Sequence, residues 1–146
     1  MTKRRLDQLD VAGKKVLVRV DFNVPIDQGI DGIDLYDQRL RATLPTIRYL
    51  IDQGSKIVLC SHLGRPNGEV VEGLRLEPVG DRLAMLLDRP VRSVPDITGP
   101  VVAEAVSQMV SGDVLLLENL RFHPGEETND AAFACELANI VDCFVN

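Results

Sequence analysis

The sequence predicts an α/β protein, a three-layer parallel sheet with helices on both faces. Three observations lead there. Short apolar runs recur along the chain and mostly do not alternate with polar residues, as strands covered on both faces should read. Stretches with apolar residues at helical spacing separate these runs, and the joints are short. Strand, helix, strand, helix in that order implies parallel pairing through right-handed crossovers.

"KVLVRV" at 15–20 is the first predicted strand. Leu40, Leu44, Ile47, Leu50 and Ile51 then recur at helical spacing, and Gly54 supplies a C-terminal stop. Pro45 must lie near the first turn of that helix or kink it, and Arg39 and Arg41 are expected to open it. "KIVLC" at 56–60 is the second strand. Val79, Leu83, Leu86 and Leu87 form the next helical stripe, entered through Pro78. "PVRSV" at 90–94 alternates apolar and polar residues, which suits a more exposed strand. A third stripe, Val101, Val102, Ala105, Val106 and Met109, is bounded by Pro100 and Gly112. "DVLLLE" at 113–118 is a further buried strand. Ala132, Phe133, Leu137 and Ile140 mark a fourth helix with Asn129 or Asp130 as its N-cap, and "IVDCFVN" at 140–146 is the last strand. The acid- and glycine-rich stretches 26–37 and 65–73 read as the most flexible loops.

With 146 residues, one core and no second complete domain are expected. The chain is 45% hydrophobic and 26% charged, a globular composition. Its net charge of −6 argues against a general nucleic-acid or anionic-membrane surface, so an anionic ligand would need a local basic cluster. No apolar run approaches a membrane span, and the charged start "MTKRRLDQLD" is not followed by the apolar stretch of a secretory leader. Cys60, Cys135 and Cys143 form no CxxC pair and sit among apolar residues. An odd number of buried-type thiols fits a reducing compartment, with each cysteine acting as core filler. Neither a GxxxxGK[ST] loop nor a GxGxxG turn occurs, and no His/Cys cluster has zinc spacing. Asp27, Asp31, Asp34 and Asp37 lack the spacing of a calcium loop and read as a solvated loop.

In open parallel sheets, ligands bind beyond the carboxyl ends of the strands. "RVDFNVP" after the first strand offers Asp21 and Asn23, and "SHLGRP" after the second offers His62 and Arg65. "ENLRFHPGEE" after the fourth offers Glu118, Asn119, Arg121 and His123, while Arg39 and Arg41 lie near the same edge. Arginine forks suit carboxylate and phosphate oxygens, and Asp or Asn can fix hydroxyl groups. Together they suggest recognition of a small, multiply anionic, hydroxylated molecule. Taken singly, each has a plainer reading: an Arg after a strand is usually a surface residue or ion-pair member. "NLRFHPGEE" can be an ordinary turn whose Glu126 and Glu127 pair with nearby arginines.

"LDQLDVAGKKVLVRVDFNVP", "RLRATLPTIRYLIDQGSKIVLCSHLGRP", "LEPV" and "LLLENLRFHPGEE", in that order, resemble the N-terminal domain of phosphoglycerate kinases. The resemblance implies a Rossmann-like, two-domain, hinge-bending enzyme of glycolysis, cytoplasmic and monomeric, with neither nucleic acid nor membrane as partner. Its N-terminal domain would bind 3-phosphoglycerate and its C-terminal domain Mg-ATP or Mg-ADP. A phosphoryl group would move reversibly between ATP and the substrate carboxylate, giving 1,3-bisphosphoglycerate. The resemblance further implies substrate contacts from Asp21, Phe22, Asn23, Arg39, His62, Leu63, Gly64, Arg65 and Arg121. Arg39 would also be catalytic, balancing charge on the group in transit, and no residue here would ligate metal. On the same basis residues 1–146 are expected to be a partial N-terminal domain, without the nucleotide domain and inactive alone. A second reading is a non-catalytic module for small phosphorylated hydroxy acids. A third is a chain that folds poorly because its sheet lacks an edge partner.

Overall fold

The structure, a computed structural model, describes residues 4–23 and 29–146. Five strands form one sheet: β1 (Lys15–Arg19), β2 (Lys56–Cys60), β3 (Arg92–Ser93), β4 (Val114–Leu116) and β5 (Cys143–Val145). Their spatial order is β3-β4-β2-β1-β5, and every neighbouring pair is parallel. The helices are α1 (Gly29–Asp52), α2 (Glu77–Leu87), α3 (Pro100–Ser107) and α4 (Ala131–Asn139). Each predicted strand and helix therefore has a counterpart.

The non-alternating strands are explained by two apolar layers, one on each face. Val16, Val18, Ile57, Leu59, Val114 and Leu116 point one way and pack with Leu40, Leu44, Ile47 and Leu50 of α1 and Val79, Leu83 and Leu87 of α2. Their strand neighbours Leu17, Val58, Cys60 and Leu115 point the other way, onto Val102, Ala105 and Val106 of α3 and Phe133 of α4. In a pleated strand successive side chains alternate in direction, so burial of both sets requires apolar residues at every position. β3 is the exception: it lies at the sheet edge, pairs only with β4, and keeps the alternation its sequence showed.

Local signals place the helix ends. Pro78 falls in the first turn of α2 and Pro100 opens α3, where the missing amide hydrogen costs nothing. Asp130 is the N-cap of α4, its Oδ1 accepting the Phe133 N–H at 2.8 Å. Gly54 follows α1 in a left-handed conformation, φ +71°, and returns its N–H to the Ile51 carbonyl.

α1 begins much earlier than its apolar stripe indicates. The backbone is already helical at Gly29, so residues 29–37 are helix rather than the expected loop; the remainder of that expectation, 26–28, lies outside the described residues. Asp31 and Asp34 therefore belong to a helix rather than to the loop their sequence suggests. Arg39 lies roughly three turns inside α1 instead of opening it, and Pro45 is deeper still. The 65–73 stretch is a loop with one short 3₁₀ turn, Glu72–Leu74, at its end.

The cysteines divide. Cys60 is buried, and burial pushes its thiol up to about 12; Cys143 is half-buried and also shifted upward by burial. Cys135 is exposed, against expectation, and Phe133 is the buried side chain of α4. No helix among the described residues is long and apolar enough to cross a membrane.

α2 approaches the sheet at Gly80, where a Cβ would meet the Ser93 Oγ at 2.4 Å and the Leu116 Cδ2 at 3.2 Å. A branched side chain there must displace the Ser93 hydroxyl and the Leu116 methyl or shift the helix, a cost of roughly 1–3 kcal/mol. Gly80→Val should therefore lower the urea midpoint, although glycine is the poorer helix former. An unchanged midpoint would mean that α2 can shift freely.

Candidate functional site

The strand order sets β4, β2 and β1 side by side, so the loops leaving their carboxyl ends are neighbours. These loops carry most of the expected site residues. Ser61, completely buried just after β2, joins them: its carbonyl accepts the Leu120 N–H and its hydroxyl oxygen accepts the Phe22 N–H, both at 3.0 Å. Asn119 is equally buried. Its Oδ1 accepts from the N–H groups of Leu63 and Arg121, each at 3.1 Å. Its Nδ2 donates to the carbonyls of Leu63 and Leu74, at 2.8 and 2.9 Å.

Several residues that the sequence places along the rim hold the loops together. Glu118 is buried and accepts from Leu76 N, Asn119 N and Arg75 Nη1 at 2.9, 2.8 and 3.1 Å. The Phe22 and Leu63 side chains lie in the apolar core, and only their backbone borders the rim. His123 stacks on Phe133, ring centroids 4.1 Å apart, and its Nδ1 accepts from Gly125 N. Arg41 pairs with Asp37, which Arg82 also holds, rather than with the rim carboxylates Asp21 and Glu126. Gly64 sits at φ +64°, where a Cβ would lie 2.8 Å from Leu74 Cδ2. Left-handed backbone and lack of space both demand glycine there.

What remains is a basic group fed by three loops and α1. Arg39 reaches across from α1 to ion-pair with Asp21. Asp21 Oδ1 also accepts the Asn23 N–H at 3.1 Å, and Asn23 Oδ1 accepts the Gly64 N–H at 3.0 Å, which links the β1 loop to the β2 loop. Arg121 donates from Nη1 to the Gly64 carbonyl at 3.1 Å and from Nε to Glu126 at 3.3 Å. Arg65 is exposed and has no ion pair or hydrogen bond among the described residues. His62, partly buried, is pushed below the usual imidazole range, first by burial and then by the positive charge of Arg121, with Arg19 adding to it and Glu126 and Asp21 opposing.

Two members of this group were missed by reading only the residues after each strand. Arg19 is the last residue of β1 and donates to Glu126 Oε1 at 2.9 Å. Its signal was available, since an arginine inside an otherwise buried parallel strand is anomalous. Glu126 was read only as an ion-pairing turn residue, and it does pair, with both Arg19 and Arg121. A separate cavity of about 410 Å³ lies between the sheet and α4, lined by Leu17, Cys60, Leu137 and Val141 with Arg19 at its border. Its largely alkyl wall does not suit a multiply charged ligand, whereas the arginines and His62 of the rim do.

The chain is similar to known proteins along almost its whole length. The family model for phosphoglycerate kinase matches residues 6–146. A phosphoglycerate kinase of Microcystis aeruginosa (strain NIES-843 / IAM M-2473) is 54% identical over 145 residues, which is 99% of this chain and 36% of that protein. Among solved structures, phosphoglycerate kinase from Pyrococcus horikoshii OT3 matches 97% of this chain and 36% of its own, with a TM-score of 0.81 and 36% identity. The enzyme from Coxiella burnetii matches 95% of this chain and 33% of its own, with a TM-score of 0.76 and 31% identity. The chain thus spans 33–36% of the length of these relatives. With a match that runs almost end to end and a sheet of the same architecture, the chain belongs to the phosphoglycerate kinase family.

Proposed function

We propose that this chain is the 3-phosphoglycerate-binding part of a phosphoglycerate kinase, the protein that exchanges a phosphoryl group between ATP and the substrate carboxylate. The observation that carries the reading is the convergence of arginines and an imidazole from separate loops on one rim, in a member of that family. Phosphoryl transfer asks a protein chiefly for positioning and for neutralisation of spread negative charge, and such a rim supplies both.

In this reading His62, Arg65 and Arg121 grip the substrate's anionic oxygens, while Asp21 and Asn23 fix its hydroxyl. Phe22, Leu63 and Gly64 frame the site through their backbone. Arg39 sits where charge must be balanced during transfer. The second substrate in this reading is Mg-ATP or Mg-ADP. We assign the nucleotide to a C-terminal domain outside these residues, 1–146 being part of the N-terminal one, and expect no turnover from this chain alone. The working enzyme would be cytoplasmic and monomeric, closing about a hinge to exclude water.

Titration of the 146-residue chain with 3-phosphoglycerate should give weak binding that falls as salt rises. Arg65→Ala should weaken it at least fivefold, since that fork is unpaired among the described residues; equal affinity would remove Arg65 from the site. In a full-length enzyme Arg39→Ala should reduce kcat far more than it raises KM, and equal losses would make Arg39 a binding residue only.

His62 gives an independent handle. Its folded pKa is depressed, so the unfolded chain binds its proton more readily. Its contribution to stability is therefore present above the ordinary imidazole value and is lost as pH falls through that range. An anion on the rim should reverse this by favouring the imidazolium. The His62 midpoint, followed by NMR, should rise when 3-phosphoglycerate binds, and a fixed midpoint would argue against contact.

A further inference from the structure

Glu126 is the least expected member of the rim. Its side chain is only 9% exposed, yet it is a carboxylate among the groups that would grip an anion. One oxygen accepts from Arg19 Nη2 at 2.9 Å and the other from Arg121 Nε at 3.3 Å. Arg19 comes from β1 and Arg121 from the 3₁₀ turn Leu120–Phe122, so a single carboxylate bridges two guanidinium groups from different strands' ends. The loop holding it is fixed by backbone hydrogen bonds, Glu126 N to the His123 carbonyl and Asn129 N to the Glu126 carbonyl. Glu127, the next residue, is 47% exposed and only 3.8 Å from Arg121 Nε at its nearest.

We propose that Glu126 is a specificity-determining internal anion: it occupies the Arg19 and Arg121 forks when no ligand is bound, so that a simple anion must compete with it. This rests on the reading of the rim as an anion site. Two guanidinium groups drawn to one point repel each other, and a seated carboxylate offsets that repulsion while weakening the field offered to solvent anions. A ligand able to reach Arg65 and Arg39 as well gains contacts that Glu126 does not block. Inorganic phosphate can use fewer of them. The device therefore discriminates against small anions by supplying their rival from within the chain. The groups that act on His62 at this rim are Arg121, Glu126, Arg19 and Asp21. Glu126 is the first of the two that favour the imidazolium, so its charge is legible at His62 as well.

The test is titration of the 146-residue chain with inorganic phosphate, with Glu126→Gln, which keeps the shape and removes the charge, as the main variant. Phosphate affinity should rise about fivefold, and the His62 midpoint should fall further. Glu127→Gln should leave phosphate affinity within about twofold of the parent chain, because that carboxylate is exposed and screened. Unchanged or weaker phosphate binding by folded Glu126→Gln would overturn the proposal. So would an equal gain from Glu127→Gln, since any lost negative charge would then suffice. Should Glu126→Gln not fold, the unaltered chain decides: phosphate must displace the carboxylate, shifting the Arg121 Nε–H resonance progressively, and a resonance that never moves while phosphate binds would overturn the proposal. Phosphate carries no glycerate, so the two readings fail separately. Loss of 3-phosphoglycerate binding with the Glu126→Gln gain intact would remove the substrate assignment and leave the internal anion.

Discussion

The Asn119 carboxamide is the constraint on which the rim depends. Completely buried, it makes four hydrogen bonds, two accepted and two donated, to Leu63, Arg121 and Leu74. That is the whole capacity of an amide side chain. Those partners lie in the β2 loop, the β4 loop and at the end of the 65–73 loop, so one side chain ties three segments together. In a medium of low dielectric a backbone amide left unpaired costs about 1–3 kcal/mol, so the loops are held in one register by the penalty of leaving it. An aspartate would fit the space but could not donate to the Leu63 and Leu74 carbonyls. Arg121, the left-handed turn at Gly64 and the link from Gly64 to Asn23 all lie in or beside the segments this clamp joins.

Charge is arranged with similar economy. The chain carries a net charge of −6, yet Arg19, Arg39, Arg65 and Arg121 gather at the carboxyl end of the sheet. Most are held by carboxylates: Arg39 by Asp21, Arg19 and Arg121 by Glu126, Arg75 by Glu72 and Glu118. The exposed pairs contribute little to stability, since water and salt screen them. Their larger effect is geometric, because a paired guanidinium is already oriented. Arg65 is the contrast, exposed and unpaired among the described residues. The rim thus combines pre-oriented forks with one that is open.

Much of this was legible in the amino-acid order, for identifiable reasons. Buried parallel strands demand apolar residues at successive positions, and "KVLVRV", "KIVLC" and "DVLLLE" satisfy that demand over lengths too short for helices. Pro78, Pro100, Gly54 and Asp130 mark helix ends through local chemistry that tertiary packing had no reason to override. The start of α1 was not legible, because the acids and glycines that suggest a loop are also tolerated or favoured in a first turn. At the rim, position relative to the strands located the loops, but it could not separate Asn119 and Glu118, turned inward and hydrogen-bonded, from Arg65, exposed and unpaired among the described residues. Sequence places residues on a loop; only the hydrogen-bond partners say which are structure and which remain for a ligand. Arg19 was hidden for the opposite reason, being counted as strand when its guanidinium extends beyond the end of it.

Amide hydrogen exchange at Leu63 and Arg121 addresses the clamp most directly. Both N–H groups lie in loops, and both donate to the same buried Asn119 oxygen. If that carboxamide holds the rim together, the two should exchange slowly and at closely similar rates, comparable with the central amides of β2, because both are released only when the clamp opens. Fast, unequal exchange typical of solvated loops, with β2 still protected, would contradict the account and leave the rim as independent turns.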